Sequence, residues 1–223
     1  MDMENIKAII FDFDDTLGNR NVYAYKFYEW FMSENVEGFS DDPILKEAIL
    51  QDIMIWEQHS YVPKSTIMEK VEDVYHLPVK DLDVKKAFEE NIHRFVELLP
   101  DTLEVLESLK GKYKLGILTN GEKYSQRRKI SAKLDLSIFD SVIISGDYGY
   151  HKPDIRLFNE AIRQLNLKPE EILFVGDSFG KDVRGALNAG MKAVWIWPED
   201  GRIQQTNVPR IYRLKQLLDL LNN

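Results

Sequence analysis

"IIFDFDDTLG" runs from Ile9 to Gly18, and its apolar start ends in three aspartates within four positions, Asp12, Asp14 and Asp15, followed by Thr16. Carboxylates crowded in this way repel one another, and a fold tolerates them where a cation compensates. The surrounding "KAIIFDF" (Lys7 to Phe13) is short and dense in apolar residues, the pattern of a buried parallel strand. The aspartates therefore stand at the end of a strand.

Four further runs have the same character: "KLGILT" (Lys114 to Thr119), "SVIIS" (Ser141 to Ser145), "ILFVGD" (Ile172 to Asp177) and "AVWIW" (Ala193 to Trp197). Helical patterns lie between the later ones. "DIRLFNEAIRQLN" spaces Leu157, Phe158, Ala161, Ile162 and Leu165 along one face. "KDVRGALNAG" stops at Gly190, a natural helix end. Strand–helix alternation predicts an α/β fold, a Rossmann-like parallel sheet with right-handed crossovers.

One interval breaks this rhythm. After the first strand, roughly eighty residues contain no strand pattern and read as helices over Val22 to Glu34, Pro43 to Glu57, Ser65 to His76 and Val84 to Glu97. Asp42 before Pro43 is a helix start, and Thr66 with Glu69 fits a capping box. The expected organisation is a catalytic core of residues 1–17 and 100–223, with an all-helical cap domain of residues 18–99 inserted over the end of the first strand.

Bulk properties narrow the function. The 223 residues are 44% hydrophobic and 30% charged, with a formal net charge of -8. An acidic chain has no general attraction to nucleic acid or an anionic membrane surface. No stretch approaches the ~20 apolar residues of a membrane helix. There is no cysteine, so disulfides and thiol catalysis are excluded, and a soluble, cytoplasmic protein is expected. Oligomeric state is not legible.

Open α/β sheets bind ligands outside the carboxyl ends of their strands. Here those ends carry Asp12 and Asp14, then Thr119, Asn120 and Gly121, then Lys152 in "GDYGYHKPD", then Asp177 with Asp182 one helical turn on. The set suits phosphoryl transfer to water from a small phosphate ester. A Mg²⁺ ion on Asp12, Asp14 (through its carbonyl) and Asp177 would screen the anionic substrate. One carboxylate can attack phosphorus and a second can move the proton. Thr119 and the amides of Asn120 and Gly121 can cradle phosphate oxygens, and Lys152 can neutralise charge.

The four segments "FDFDDTL", "ILTNG", "HKPD" and "FVGDSFGKD" resemble, in order, the motifs of the haloacid dehalogenase superfamily. The resemblance covers about residues 1–17 and 100–197 and implies roles by position. Asp12 would be the nucleophile and Asp14 the general acid/base. Thr119 would bind phosphate, Lys152 would balance charge, Asp177 would ligate metal and Asp182 would support it. Asp14 favours a phosphatase over the namesake dehalogenases, which lack that acid. A sugar phosphomutase and a non-catalytic binding module remain the alternatives. "LTNGEKYSQRRKI" (Leu118 to Ile130) further resembles N-acylneuraminate-9-phosphatases and pyrimidine 5'-nucleotidases, implying a sugar phosphate or nucleoside monophosphate substrate.

Other residues have plainer readings. The aromatic "VYAYKFYEWF" (Val22 to Phe31) is expected to pack the helical insert rather than stack a ligand. Arg20 reads equally as a substrate-facing cation or a surface charge. Arg127 and Arg128 belong on a solvated helix face, His59, His76 and His93 lack metal-ligand spacing, and Asp15 is given no catalytic role.

Overall fold

A computed structural model describes residues 3, 5–197 and 204–222. The chain divides into two compact units, Met1–Asn19 with Leu98–Asn223, and Arg20–Glu97.

The first unit is built on β1 (Ala8–Phe11), whose four residues are all buried. After the second unit the chain returns through α5 (Thr102–Leu109), β2 (Lys114–Thr119), α6 (Lys123–Ser131), β3 (Ser141–Ile144) and α7 (Ile155–Leu165). It continues with β4 (Ile172–Gly176), a π-helical turn (Phe179–Val183), α8 (Arg184–Asn188), β5 (Lys192–Ile196), β6 (Arg210–Ile211) and α9 (Gln216–Asn222). Within the second unit the helices are α1 (Arg20–Asn35), α2 (Pro43–Glu57), α3 (Lys64–Tyr75) and α4 (Val84–Asn91).

The sheet is parallel throughout, in the order β3-β2-β1-β4-β5-β6. The chain builds outward from β1 on one side, then crosses back and builds outward on the other. β1 therefore marks the point where the winding reverses, and open α/β sheets bind ligands outside the carboxyl ends of the strands at such a point. Aliphatic side chains on both sheet faces explain the continuous apolar reading. Ile10, Leu118 and Phe174 pack with Leu157, Phe158, Ala161 and Leu165 of α7 on one face. Each such side chain contributes roughly 1.5–3 kcal/mol on burial.

β1 is shorter than the expected Lys7 to Phe13. Asp12 still donates its N–H to Val175 O at 2.9 Å, but Phe13 O then accepts the N–H groups of Thr16, Leu17 and Gly18. Asp15 sits in this turn with a left-handed φ of 56°. Asp12 and Asp14 thus leave the sheet before they reach their partners. β6 had no sequence signal, being two residues long.

The second unit is all helical. Tyr23, Phe27, Tyr28 and Phe31 of α1 are buried among residues of α2, α3 and α4. Phe27 stacks on Phe31 at 5.8 Å and meets Phe88 edge-on at 4.9 Å, which is packing geometry. Asp42 caps α2 through Ile44 N and Leu45 N. The expected capping box at Thr66 is absent, because α3 begins at Lys64 after Pro63, with no side-chain cap. The helix expected to reach Glu97 is broken after Asn91 into a short 3-10 turn, Ile92–Arg94. Arg20 matches neither of its two readings. It is buried, and its guanidinium grips the buried carboxylate of Glu57, with Nη1 2.8 Å from Oε2 and Nη2 on Oε1. Among the described residues no helix is long and apolar enough to cross a membrane.

Candidate active site

A dense charge cluster lies beyond the carboxyl ends of β1, β3 and β4. Asp12 follows β1 and is buried, as is Lys152 from the loop after β3. Lys152 Nζ lies 2.7 Å from Asp12 Oδ1 and 2.6 Å from Asp182 Oδ1. Asp182 comes from the π-helical turn, a distortion that recurs at functional sites, and its Oδ2 accepts from Ser178 N at 3.0 Å. Asp177 follows β4, and Trp195 Nε1 donates to its backbone carbonyl at 2.7 Å. One carboxylate oxygen each from Asp12, Asp177 and Asp182 falls within 4.8 Å of the others.

Gly176 makes this packing possible. A Cβ there would stand 2.5 Å from Asp182 Cβ, far inside contact distance. Glycine at the end of β4 lets Asp182 fold back to Lys152.

The electrostatics follow from three carboxylates facing one ammonium. Burial pushes the Asp12 carboxyl up to about 6 from its ordinary 3.8; Lys152 pulls it down, while Asp182 and Asp14 push it up. Asp177 is pushed well up by burial and then by Asp182, Asp12 and Asp15, against Lys152. Burial works against the charged form of Lys152, but Asp12 and Asp182 more than offset it and hold the ammonium above its usual range. The site has excess negative charge made of hard oxygen donors, the donor set that suits Mg²⁺. Asp12, Asp177 and Asp182 fit such an ion by proximity and chemistry.

Thr119 ends β2 and is buried. Its Oγ1 accepts from Gln126 Nε2 at 2.9 Å. The Asn120 side chain spans both backbone groups of Lys152, accepting from its N–H at 2.7 Å and donating to its carbonyl at 3.3 Å. This fixes the loop that delivers the ammonium. The Gly121 N–H donates to Ser145 Oγ at 3.0 Å, so it reaches a phosphate oxygen only by exchanging that bond. Ser145 Oγ also lies 2.9 Å from His151 Nδ1.

Asp14 points to a different group of residues. Lys129 Nζ approaches both its oxygens, and Gln126 Nε2 donates to Oδ2 at 3.0 Å. Sequence reasoning missed Lys129 and Gln126. Both are buried, although they lie in a polar stretch that reads as solvated. Their spacing of three along α6, with Ile130 beside them on the buried side, is the available signal. Arg127, half-buried, pairs with Asp147 at 3.2 Å, and Arg128 is exposed.

Residues 9–196 match the family model "Haloacid dehalogenase-like hydrolase". The chain is 28% identical over 209 residues to the glyceraldehyde 3-phosphate phosphatase of Methanothermobacter thermautotrophicus, covering 92% of each chain. It is 36% identical over 125 residues to the N-acylneuraminate-9-phosphatase of Mus musculus, covering 55% of this chain and 50% of that one. In fold it is similar to a HAD hydrolase of Bacillus subtilis solved bound to magnesium, with a TM-score of 0.78 at 19% identity, covering 99% of this chain and 100% of that one.

Proposed function

The chain belongs to the haloacid dehalogenase-like hydrolases and stands among their phosphoric monoester hydrolases, and we propose that it is a Mg²⁺-dependent phosphatase of small phosphorylated carbohydrates. The observation that carries this reading is Lys152. Its ammonium binds Asp12 and Asp182 together, which holds the buried Asp12 carboxylate against a cation while leaving it its second oxygen.

In this reading Asp12 attacks the phosphorus atom in line with the ester oxygen. A bond from an Asp12 carboxylate oxygen to phosphorus forms, giving an acyl phosphate, and the bond to the substrate oxygen breaks, the leaving oxygen taking a proton from Asp14. A water then attacks the aspartyl-phosphate, gives its proton to Asp14, and the Asp12–phosphorus bond breaks to release inorganic phosphate. Thr119 and the amide of Asn120, with that of Gly121 once exchanged, hold the phosphate oxygens. Lys152 stays protonated and neutralises charge that grows on the equatorial oxygens. Asp12, Asp177 and Asp182, with the carbonyl of Asp14, would hold Mg²⁺, which when bound screens the anionic substrate from the anionic nucleophile.

The relatives' named substrates, a three-carbon sugar phosphate and a nine-carbon sugar acid phosphate, support the substrate class. Residues 20–97 serve in this reading as the cap domain that selects within that class. The test is a panel of sugar phosphates and nucleoside monophosphates with and without Mg²⁺, followed by product analysis. Phosphate release that requires Mg²⁺ is expected. Isomerised sugar phosphate with little free phosphate would establish the mutase instead, and no turnover on any ester would contradict the enzyme reading.

A further inference from the structure

Gln126 uses one amide nitrogen twice. Nε2 donates to Thr119 Oγ1 at 2.9 Å and to Asp14 Oδ2 at 3.0 Å, so both of its hydrogens are assigned. The orientation of this amide is fixed by chemistry. A carboxylate only accepts, so the nitrogen must face Asp14, and the oxygen turns to Gly121. A Cβ on Gly121 would lie 2.8 Å from Gln126 Oε1. The glycine of "TNG" is therefore also what makes room for this side chain. α6 holds Gln126 in place from below: Glu122 caps the helix through Ser125 N at 2.7 Å, and Gln126 N bonds Glu122 O at 2.9 Å.

We infer that Gln126 is a positioning residue that aligns Thr119 and Asp14 for the same reaction; this rests on the phosphatase reading above. A threonine hydroxyl carries a single hydrogen. Because Thr119 Oγ1 accepts from Gln126, its own hydrogen turns away from the amide, toward the space a phosphate oxygen occupies. The same NH₂ group sets one oxygen of Asp14, the proton carrier for the leaving group. Gln126 thus ties phosphate orientation to proton delivery. Lys129, one helical turn on, approaches both oxygens of Asp14. Gln126 is neutral and buried, so its action is geometric, and small misplacement of reacting groups is costly in rate.

The experiment compares two esters, glycerol 3-phosphate, whose alkoxide leaves only with a proton, and p-nitrophenyl phosphate, whose phenolate leaves without one. Gln126→Met keeps the side-chain volume and removes the donor. It is expected to lower kcat for glycerol 3-phosphate by about 10-fold or more, with a several-fold smaller loss for p-nitrophenyl phosphate. On an Asp14→Asn background the same substitution should no longer discriminate between the esters. Gly121→Ala, which displaces Gln126 from the other side, should reproduce the leaving-group signature and serves if Gln126→Met does not fold. Equal losses on both esters from either variant, or losses that multiply fully with Asp14→Asn, would overturn the inference while leaving the phosphatase reading intact. A wild-type protein that hydrolyses neither of these esters nor any member of the sugar-phosphate panel would instead remove the reading on which the inference stands.

Discussion

Lys129 Nζ lies 2.6 Å from one carboxylate oxygen of Asp14 and 2.8 Å from the other. The lysine side chain is 5% exposed and the aspartate side chain 22%. A buried ammonium on the α6 side and a half-buried carboxylate on the loop after β1 therefore hold each other. The pair separates two properties that usually fall together when an active-site carboxylate is changed.

Asp14→Asn removes the proton carrier and leaves a buried ammonium without that anion. Turnover is expected to fall by ~10²–10⁴. Stability should also fall, by about 1–3 kcal/mol, since a buried charge has lost a partner. Asp14→Asn combined with Lys129→Met should recover most of that stability and none of the turnover, because removing both members of a buried pair is far milder than removing one. Urea unfolding beside a phosphate-release assay checks both halves. Recovery of activity in the double variant would contradict the role given to Asp14.

The crowding of Asp12, Asp177 and Asp182 gives a metal response that does not depend on turnover. Mg²⁺ should raise the melting temperature, with a stabilisation of about 2.7 kcal/mol at a hundredfold excess over Kd. Asp177→Asn should melt higher than the wild type in chelator, since burial and its neighbours disfavour the charged carboxyl there. It should also lose most of the Mg²⁺ response. A variant that responds to Mg²⁺ like the wild type would place the ion elsewhere.

The helical unit should carry its own acid sensitivity. Burial pushes Glu57 up, but Arg20, then Lys64 and the Ser60 N–H, more than offset this and hold its carboxyl below the ordinary 4.5. A lowered folded value means that the pair stabilises fully above about pH 4.5, and that this contribution is lost as pH falls through the folded value. The same carboxylate accepts from Ser60 N at 2.9 Å, pinning Gln58, His59 and Ser60 in left-handed conformations with φ of 46°, 53° and 69°. Glu57→Gln is expected to destabilise by about 3–5 kcal/mol at neutral pH. Arg20→Met with Glu57→Met should flatten the acid limb of the stability curve below pH 4.5. An unchanged acid limb in that double variant would contradict the assignment.

Gly176→Ala tests the seat of Asp182. The added methyl meets Asp182 Cβ, an overpacking worth about 1–3 kcal/mol. It should also loosen Lys152, lowering turnover for good and poor leaving groups alike. Wild-type kcat in a folded Gly176→Ala variant would show that Asp182 does not need this approach.

The sequence made the sheet legible because β1, β2, β4 and β5 are buried on both faces and so read as unbroken apolar runs. Asp12 and Asp177 were legible because they directly follow apolar runs, Thr119 because it ends one, and Lys152 because it lies on the loop after another. Gln126 and Lys129 were not, because burial of a polar helical residue depends on what the fold sets against it. Their partner Asp14 is more than a hundred positions away in the chain. Arg20 escaped for the same reason, its partner Glu57 lying 37 residues on. The capping box at Thr66 was a local pattern overruled by the actual start of α3 one turn earlier.

The central claim is that Asp12 forms a covalent bond to phosphorus. Acid quenching during turnover of a hydrolysed sugar phosphate with Mg²⁺, then borohydride reduction, converts an aspartyl-phosphate to homoserine, which peptide mass spectrometry locates. Homoserine at position 12 is predicted in the wild type, with none and no phosphate release in Asp12→Asn. Sustained phosphate release by Asp12→Asn, or homoserine at another aspartate, would contradict the account.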